Sequence, residues 1–472
     1  MRRFLSGNEA VAEGVRLSKP NVISAYPITP QTTVVEKLSE IVEQKQLDSR
    51  FVHVESEHSA LSCAIGASAI GARTFTATSS QGLLYMAECL PYAAGGKFPI
   101  VMVNAGRSTA LPWNIFGDQR DSLSQLDSGW IQVYVEDAQE ALDTVIEAYY
   151  IAENKKVSTP VMINLDGFDL THTYEPVDVP EDNDVDEFLP KFETENKFDV
   201  DHPRNLGFSV GPSDNLEWKT RENKAVLDSL EIIEESRAKF KKIFNRDHGG
   251  VIDSYKVEDA DYVLISIGSI SGLIRSVVDE FLPGFETKNK FDLNHPRNLG
   301  FSVGPSDNLE WKIRENKAVV DSLEIIEESR AKFKQIFNRD HGGVIDSYKV
   351  EDADYVLISI GSISGLIRSV VDELREQGEK VGYLKLRYIR PFPTEKLRTE
   401  LQGAKRIGVL EKDISFGHFG TVYTNVKSVT DIDSQNFVGG LGGRNITRDN
   451  IKEIFQKLKQ NGEELNFIGA KL

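Results

Sequence analysis

Two short motifs confine this chain to alternating strands and helices: Tyr26-Pro27-Ile28-Thr29-Pro30 and Glu55-Ser56-Glu57-His58-Ser59-Ala60 each close an apolar run and open a helical one. Val22, Ile23 and Ala25 precede the first. Pro27 and Pro30 lack the backbone N–H that a strand ladder needs, so the strand stops there and Gln31-Thr32-Thr33 starts a helix expected to end near Gln44. Phe51-Val52-His53-Val54 precedes the second motif. Behind it runs a helix of small residues, Ala60, Ser62, Ala64, Gly66, Ala67, Ser68, Ala69 and Gly71, whose bare surface lets another backbone or a flat ligand approach. Units of this kind fold as a parallel sheet covered by helices. Ligands bind at the strand C-termini of such sheets, where Thr29 and Glu57 both fall.

The alternation continues through Phe98 to Val103, Ala138 to Asn154 and Pro160 to Asn164, which predicts a doubly wound α/β domain over residues 1–175. From about Thr173 to Leu216 the periodicity fades into Pro, Asp, Glu and Asn, the pattern of an interdomain linker, placed at 176–220. An internal repeat follows. Phe188 to Glu280 recurs as Phe281 to Glu373, an offset of 93 residues, with differences only at Lys191/Gly284, Glu195/Lys288, Val200/Leu293, Asp201/Asn294, Thr220/Ile313, Leu227/Val320 and Lys242/Gln335. Solenoid units are shorter, more numerous and more diverged, so this is a duplicated linker plus half-domain and not a repeat architecture. Each copy carries the strand sequence Asp-Tyr-Val-Leu-Ile-Ser-Ile, at 261–267 and at 354–360. Only the second leads into further strands, Val381 to Leu386 and Arg406 to Leu410, and a last helix from Thr447 to Lys459. A second α/β domain is therefore expected over 345–472, with the 188–280 copy supernumerary and the 281–373 copy completing the domain.

The chain has 55 basic and 73 acidic residues, a net charge of −18, which argues against nucleic acid or an anionic membrane as partner. Met1 to Leu5 turns polar at Ser6-Gly7-Asn8-Glu9, too soon for a signal peptide. No run approaches the roughly 20 apolar residues of a membrane helix, so a cytoplasmic location is expected. The only cysteines are Cys63 and Cys89, too few for a four-cysteine iron-sulfur cluster and both in apolar helical context, which favours inert, buried thiols.

Four motifs stand in a fixed order: Tyr-Pro-Ile-Thr-Pro, Glu-Ser-Glu-His-Ser-Ala, Thr76-Ala77-Thr78-Ser79-Ser80-Gln81-Gly82, and Ile115-Phe116-Gly117-Asp118-Gln119-Arg120-Asp121. In this order the chain resembles the alpha subunits of 2-oxoacid:ferredoxin oxidoreductases, most closely the pyruvate type. The resemblance implies a thiamine-pyrimidine-type domain followed by one like the C-terminal domain of transketolases. It matches Glu57 to the glutamate that bonds the aminopyrimidine of thiamine diphosphate, places Pro27, Ile28 and His58 beside the cofactor, and matches Thr29 and Arg107 to the residues that hold the substrate carboxylate. A guanidinium suits that carboxylate because it offers paired donors. The resemblance further implies that thiamine diphosphate is shared with a beta subunit, that magnesium and iron-sulfur clusters reside on partner subunits of beta, gamma and delta type, that pyruvate and coenzyme A are substrates, and that ferredoxin meets another subunit. No metal is assigned to this chain. Its family's usual Asn-Arg-Ala is here Gly106-Arg107-Ser108.

Each residue also has a plainer reading. Glu57 serves equally as a carboxylate at a helix N-terminus, Thr29 as a helix cap, Arg107 as a surface arginine and His58 as a helix-start histidine with its own partner. Asp118 and Asp121 look like a metal pair, but no Gly-Asp-Gly with a following Asn accompanies them, and they are read as orienting a loop. Gly439 to Arg444 lacks the Lys-Ser or Lys-Thr of a phosphate loop and is read as a turn. Function divides accordingly between a pyruvate-type subunit, a 2-oxoisovalerate or 2-oxoglutarate type, and a non-catalytic assembly subunit impaired by the duplication.

Overall fold

The computed structural model describes every residue except 112, 204–205, 207–208, 259, 261–262, 281–304, 339, 341 and 471–472. Its chain divides into two units, Met1–Ser209 with Glu222–Glu310, and Val210–Arg221 with Trp311–Leu472.

The first unit holds β1 (Arg2–Ser6), β2 (Val22–Ala25), β3 (Arg50–His53), β4 (Thr74–Thr78), β5 (Val101–Gly106), β6 (Ile131–Tyr134), β7 (Val161–Asp166) and β8 (Tyr174–Asp178). Six of these form a parallel sheet in the order β3-β2-β4-β5-β7-β6, and β1 pairs antiparallel with β8. Every residue of β4 and β5 is buried, as befits inner strands covered on both faces. On one face the helices Gly7–Ser18 and Ala138–Glu153 pack Val11, Val15, Leu142 and Val145 into a core with Phe75 and Ile163. On the other, Ala60, Leu61 and Ala64 of the helix Glu57–Ala69 meet Met102 and Met162. Because β2 lies between β3 and β4, the chain's direction of travel across the sheet reverses there. The crevice beyond the C-termini of β2 and β4 is the switch point where such folds bind ligands.

The second unit holds β9 (Ile345–Tyr348), β10 (Tyr355–Ile360), β11 (Val381–Leu386), β12 (Arg406–Glu411), β13 (Ser434–Gly439) and β14 (Leu465–Ile468), in the order β14-β13-β12-β10-β11-β9. All pair in parallel except β9, which runs antiparallel on β11. The helix Arg448–Leu458 is opened by a capping box between Thr447 and Asn450.

Both copies of the repeat fold the same long helix, Pro212–Phe244 and Pro305–Phe337, and finish it with the same clasp. Asp247 accepts from Arg237 and Lys241 while Glu234 accepts from the backbone of Val251; Asp340 with Arg330 and Lys334, and Glu327 with Val344, repeat both sets. Their surroundings differ. Ile232 and Phe240 join the first unit's core and Ser236 is buried there, whereas Ile325 and Ser329, the counterparts of Ile232 and Ser236, are exposed. Leu323 instead packs on the second unit's core, where its counterpart Leu230 is exposed.

Three expectations need correction. The span 176–220 is not a bare linker: β8 runs to Asp178, and the helix Asp182–Phe188 buries Val185 and Phe188 in the first unit's core, which therefore extends past residue 175. The 188–280 copy is not simply surplus, since its helix supplies part of that core. Nor does each copy form a strand. Asp261 and Tyr262 lie outside the described residues, and residues 263–267 form no strand, leaving Val263, Leu264 and Ile265 exposed. A strand of this kind needs flanking strands, and the one place between β11 and β12 is held by Tyr355–Ile360. The start of the second copy, 281–304, also lies outside the described residues. Among the described residues no helix is long and apolar enough to cross a membrane.

Candidate active site

Glu57 opens its helix because Ser56, in extended backbone geometry, caps it by accepting from the Ser59 N–H. This turns the Glu57 side chain to the switch-point crevice, where it is buried with 8% of its surface exposed. The chain leaving β4 is shaped to receive it. A Cβ on Gly82 would stand 2.8 Å from Glu57 Oε1 and 2.5 Å from Thr78 Oγ1, so only glycine leaves room for the carboxylate.

Arg107 follows β5 directly and is half-buried. Its Nη2 donates to Gln81 Oε1 at 3.2 Å, and its guanidinium lies 5.0 Å from the centre of the Trp113 ring. Burial lowers its pKa, while the negative charges of Asp121 and Glu57 oppose the shift. Gln81, which holds Arg107, is the neighbour of Gly82, which lies against Glu57.

Thr29 is exposed in the loop after β2, with Pro27 exposed and Ile28 half-buried beside it. The helix that follows begins at Thr32 with Gln31 at its cap position, so Thr29 is not the cap. Gln31 is fully buried and anchors this loop, donating to the carbonyls of Tyr26 (2.9 Å) and Ala77 (3.2 Å). Asn8 donates to Pro30 O at 2.8 Å. The Pro30 ring lies 3.1 Å from where a Cβ on Gly167 would stand, and Gly167 N donates to Gly106 O at 2.8 Å. These contacts bring the Thr29 loop beside the strand end that carries Arg107. Asn8 and Gln31 carried no sequence signal, because their partners lie far along the chain.

His58 meets Glu88 Oε2 at 3.3 Å and the Tyr85 ring at 5.8 Å, which gives it protein partners of its own. Asp118 accepts from the backbone of Arg120 at 2.7 Å. Asp121 is fully buried; burial pushes its carboxyl up to about 6 against the opposing donors Ser122 N and Ser80 N. Among the described residues no cluster of three or more His, Cys, Asp or Glu side chains is placed to hold a metal. Cys89 is buried and its thiol pKa raised by burial, whereas Cys63 is only half-buried. Gly440, Gly442 and Gly443 take positive φ angles in a tight turn closed by Arg444 on Glu217 at 2.9 Å.

The family described as "Pyruvate flavodoxin/ferredoxin oxidoreductase, thiamine diP-bdg" matches residues 13–238, and "Pyruvate:ferredoxin oxidoreductase core domain II" matches residues 353–451. Pyruvate synthase subunit PorA of Methanothermobacter thermautotrophicus is 36% identical over 470 residues, 99% of this chain and 98% of that one. The chain belongs to the pyruvate:ferredoxin oxidoreductase alpha-subunit family. PorA of Methanocaldococcus jannaschii is 37% identical over 475 residues, and the ketoisovalerate oxidoreductase subunit VorA of Pyrococcus abyssi 33% over 465.

The residues of this alpha subunit fit thiamine diphosphate at the switch point. Arg107 Nε, Thr78 Oγ1 and Ser79 Oγ are buried polar atoms with no hydrogen-bond partner among the described residues. Buried polar groups rarely go without a partner, and these three lie in the loops and strand ends around Glu57.

Proposed function

We propose that this chain is the alpha subunit of a cytoplasmic pyruvate:ferredoxin oxidoreductase, contributing the pyrimidine half of a thiamine diphosphate site completed by a beta subunit. Thiamine diphosphate, when bound, supplies the carbon nucleophile and electron sink for decarboxylating a 2-oxo acid. Glu57 holds a proton at the pyrimidine ring nitrogen, in a position shielded from water where general acid-base exchange is effective. Arg107 binds the substrate carboxylate through its planar donors, and Thr29 closes on the same group from the neighbouring loop. Magnesium and the iron-sulfur clusters belong to partner subunits, which carry electrons to ferredoxin while coenzyme A accepts the acetyl group.

The observation that carries this reading is that two adjacent residues of one corner meet both side chains, Gln81 accepting from Arg107 and Gly82 lying against the Glu57 carboxylate. A 2-oxoisovalerate-type subunit is the second reading, favoured by the identity to VorA. The complex, co-purified with its partner subunits and assayed with coenzyme A, ferredoxin and a panel of 2-oxo acids, should turn over pyruvate with the highest kcat/KM. The single chain should neither bind iron nor reduce a dye with pyruvate. A higher kcat/KM for 2-oxoisovalerate would select the second reading, and an assembled complex inactive on every 2-oxo acid would discard both.

A further inference from the structure

Asp121, read from the sequence as orienting a loop, holds the corner after β4. Its buried carboxylate accepts from Ser80 N at 2.9 Å on one oxygen and from Ser122 N at 2.7 Å on the other. Ser80 needs such a hold. It has φ 50° and ψ −118°, a backbone conformation that glycine adopts freely and other L-residues only under strain. Its hydroxyl adds bonds to Gln81 Oε1 at 2.8 Å and to Ser108 O at 3.3 Å. The next two residues face the chemistry: Gln81 Oε1 receives Arg107 Nη2, and Gly82 makes room for the Glu57 carboxylate.

We propose that Asp121 is a positioning residue for the 2-oxo acid site: it latches Ser80 in its strained conformation, and through that corner sets Arg107 by way of Gln81 and Glu57 by way of Gly82. The inference rests on the reading of Arg107 as carboxylate anchor and Glu57 as proton holder. A buried carboxylate that takes the Ser80 N–H on one oxygen and the Ser122 N–H on the other is the right group for a latch, because each oxygen is an acceptor. An amide in its place must turn an NH₂ toward one of those N–H groups.

The test is a double-mutant cycle between Asp121→Asn and Ser80→Gly, measured in the assembled complex with pyruvate. Asp121→Asn should raise the pyruvate KM about tenfold and lower kcat about tenfold, with thiamine diphosphate affinity changing less than about threefold. In the Ser80→Gly background the same substitution should cost no more than about threefold in each, because glycine keeps the conformation without the latch. Equal losses in both backgrounds, or a lowered Tm with unchanged kinetics, would overturn the proposal. If Asp121→Asn alone does not assemble, the double variant should; its failure to do so would mark Asp121 as a fold element only. A wild-type complex inactive on every 2-oxo acid overturns the site reading itself, whereas an active wild type without coupling overturns only the role of Asp121.

Discussion

The Glu57 carboxylate occupies space that any side chain at position 82 would claim, with Glu57 Oε1 only 2.8 Å from the point where a Cβ on Gly82 would stand. The glycine belongs to the corner after β4 and the glutamate to the helix after β3, so the approach is a tertiary fit between two neighbouring strand ends. Gly82→Ala should therefore act on chemistry before stability. The methyl group meets Glu57 and Thr78 and must push one of them aside. Overpacking of this kind costs roughly 1–3 kcal/mol, while a displaced proton holder loses part of the ~10²- to 10⁴-fold it contributes. Turnover of the assembled complex should fall at least ~10-fold. Unchanged turnover would mean that the Glu57 carboxylate does its work elsewhere.

Glu57→Gln keeps the shape and removes the exchangeable proton. In a complex that still assembles, turnover should drop ~10²- to 10⁴-fold, with the pyruvate KM little altered. Normal turnover would leave Glu57 as a helix-start carboxylate and no more.

Arg107→Lys keeps the charge but loses the planar fork, the reach to Gln81 and the face presented to Trp113. Pyruvate KM should rise by ~10-fold or more, as expected for losing a charge-assisted pair worth roughly 1.5–3 kcal/mol, with thiamine diphosphate affinity unchanged. Equal weakening of substrate and cofactor would argue for a distorted pocket and not for a carboxylate anchor.

The strand ends were readable in the sequence because proline and glycine act locally. Pro27 and Pro30 end β2 wherever the rest of the chain goes, and the small residues after Glu57 announce a closely packed helix. Asp121 is legible as a residue that orients a loop, but which distant groups hold the loops in place was not readable. Asn8 to Pro30, Gln31 to Ala77 and Ser80 to Asp121 are partners 22, 46 and 41 residues apart, and a polar residue carries no mark of a distant partner. The repeat shows the same limit in a controlled form. Residues 263–267 and 356–360 share one sequence, yet only the second is a strand, because strand formation there depends on β11 and β12 and not on the residues themselves.

Glu147 gives a pH signature. It lies on the helix Ala138–Glu153, accepts from Ser236 Oγ at 3.0 Å, and burial raises its carboxyl from the ordinary 4.5 to about 7. The folded protein thus keeps a proton that the unfolded chain loses above 4.5. Folding takes up a proton between 4.5 and about 7, so this group's contribution to stability declines as pH rises through that window and levels off above it. Glu147→Gln, neutral at all pH, should match the wild type near pH 4 and exceed it near pH 8 by up to roughly 3 kcal/mol. Melting curves of both proteins at the two ends of that range give the answer. A constant difference across pH would show that Glu147 is ionised in the folded chain.

The two copies of the repeat have divided one helix's contacts between them, and this predicts what a single copy must do. Ala225, Ser229, Ile232, Ser236 and Phe240 recur at helical spacing and are buried in the first unit. In the second copy the counterparts Ile325 and Ser329 are exposed, Ile325 to 61%. Deleting residues 188–280 leaves the helix Pro305–Phe337 as the sole source of these contacts. Its apolar stripe is identical at the positions that matter, Ile325 for Ile232 and Ser329 for Ser236, and is distinct from Leu323, which already packs on the second unit. Removing the extra chain also shortens the loop to be closed, a gain of only about 0.6 kcal/mol per halving, so the docking itself must come from burial. The deletion chain should therefore fold, bind its beta subunit and support turnover, with Ile325 newly buried. Ile325→Asp reports the change. In the full-length chain, where the residue is exposed, it should cost less than about 0.5 kcal/mol. In the deletion chain, where it would place a charge in an apolar core, it should cost roughly 3–5 kcal/mol or prevent folding. Equal tolerance in both chains would show that the second copy's helix does not replace the first. A deletion chain that cannot fold while the full-length chain does would make both copies structural necessities.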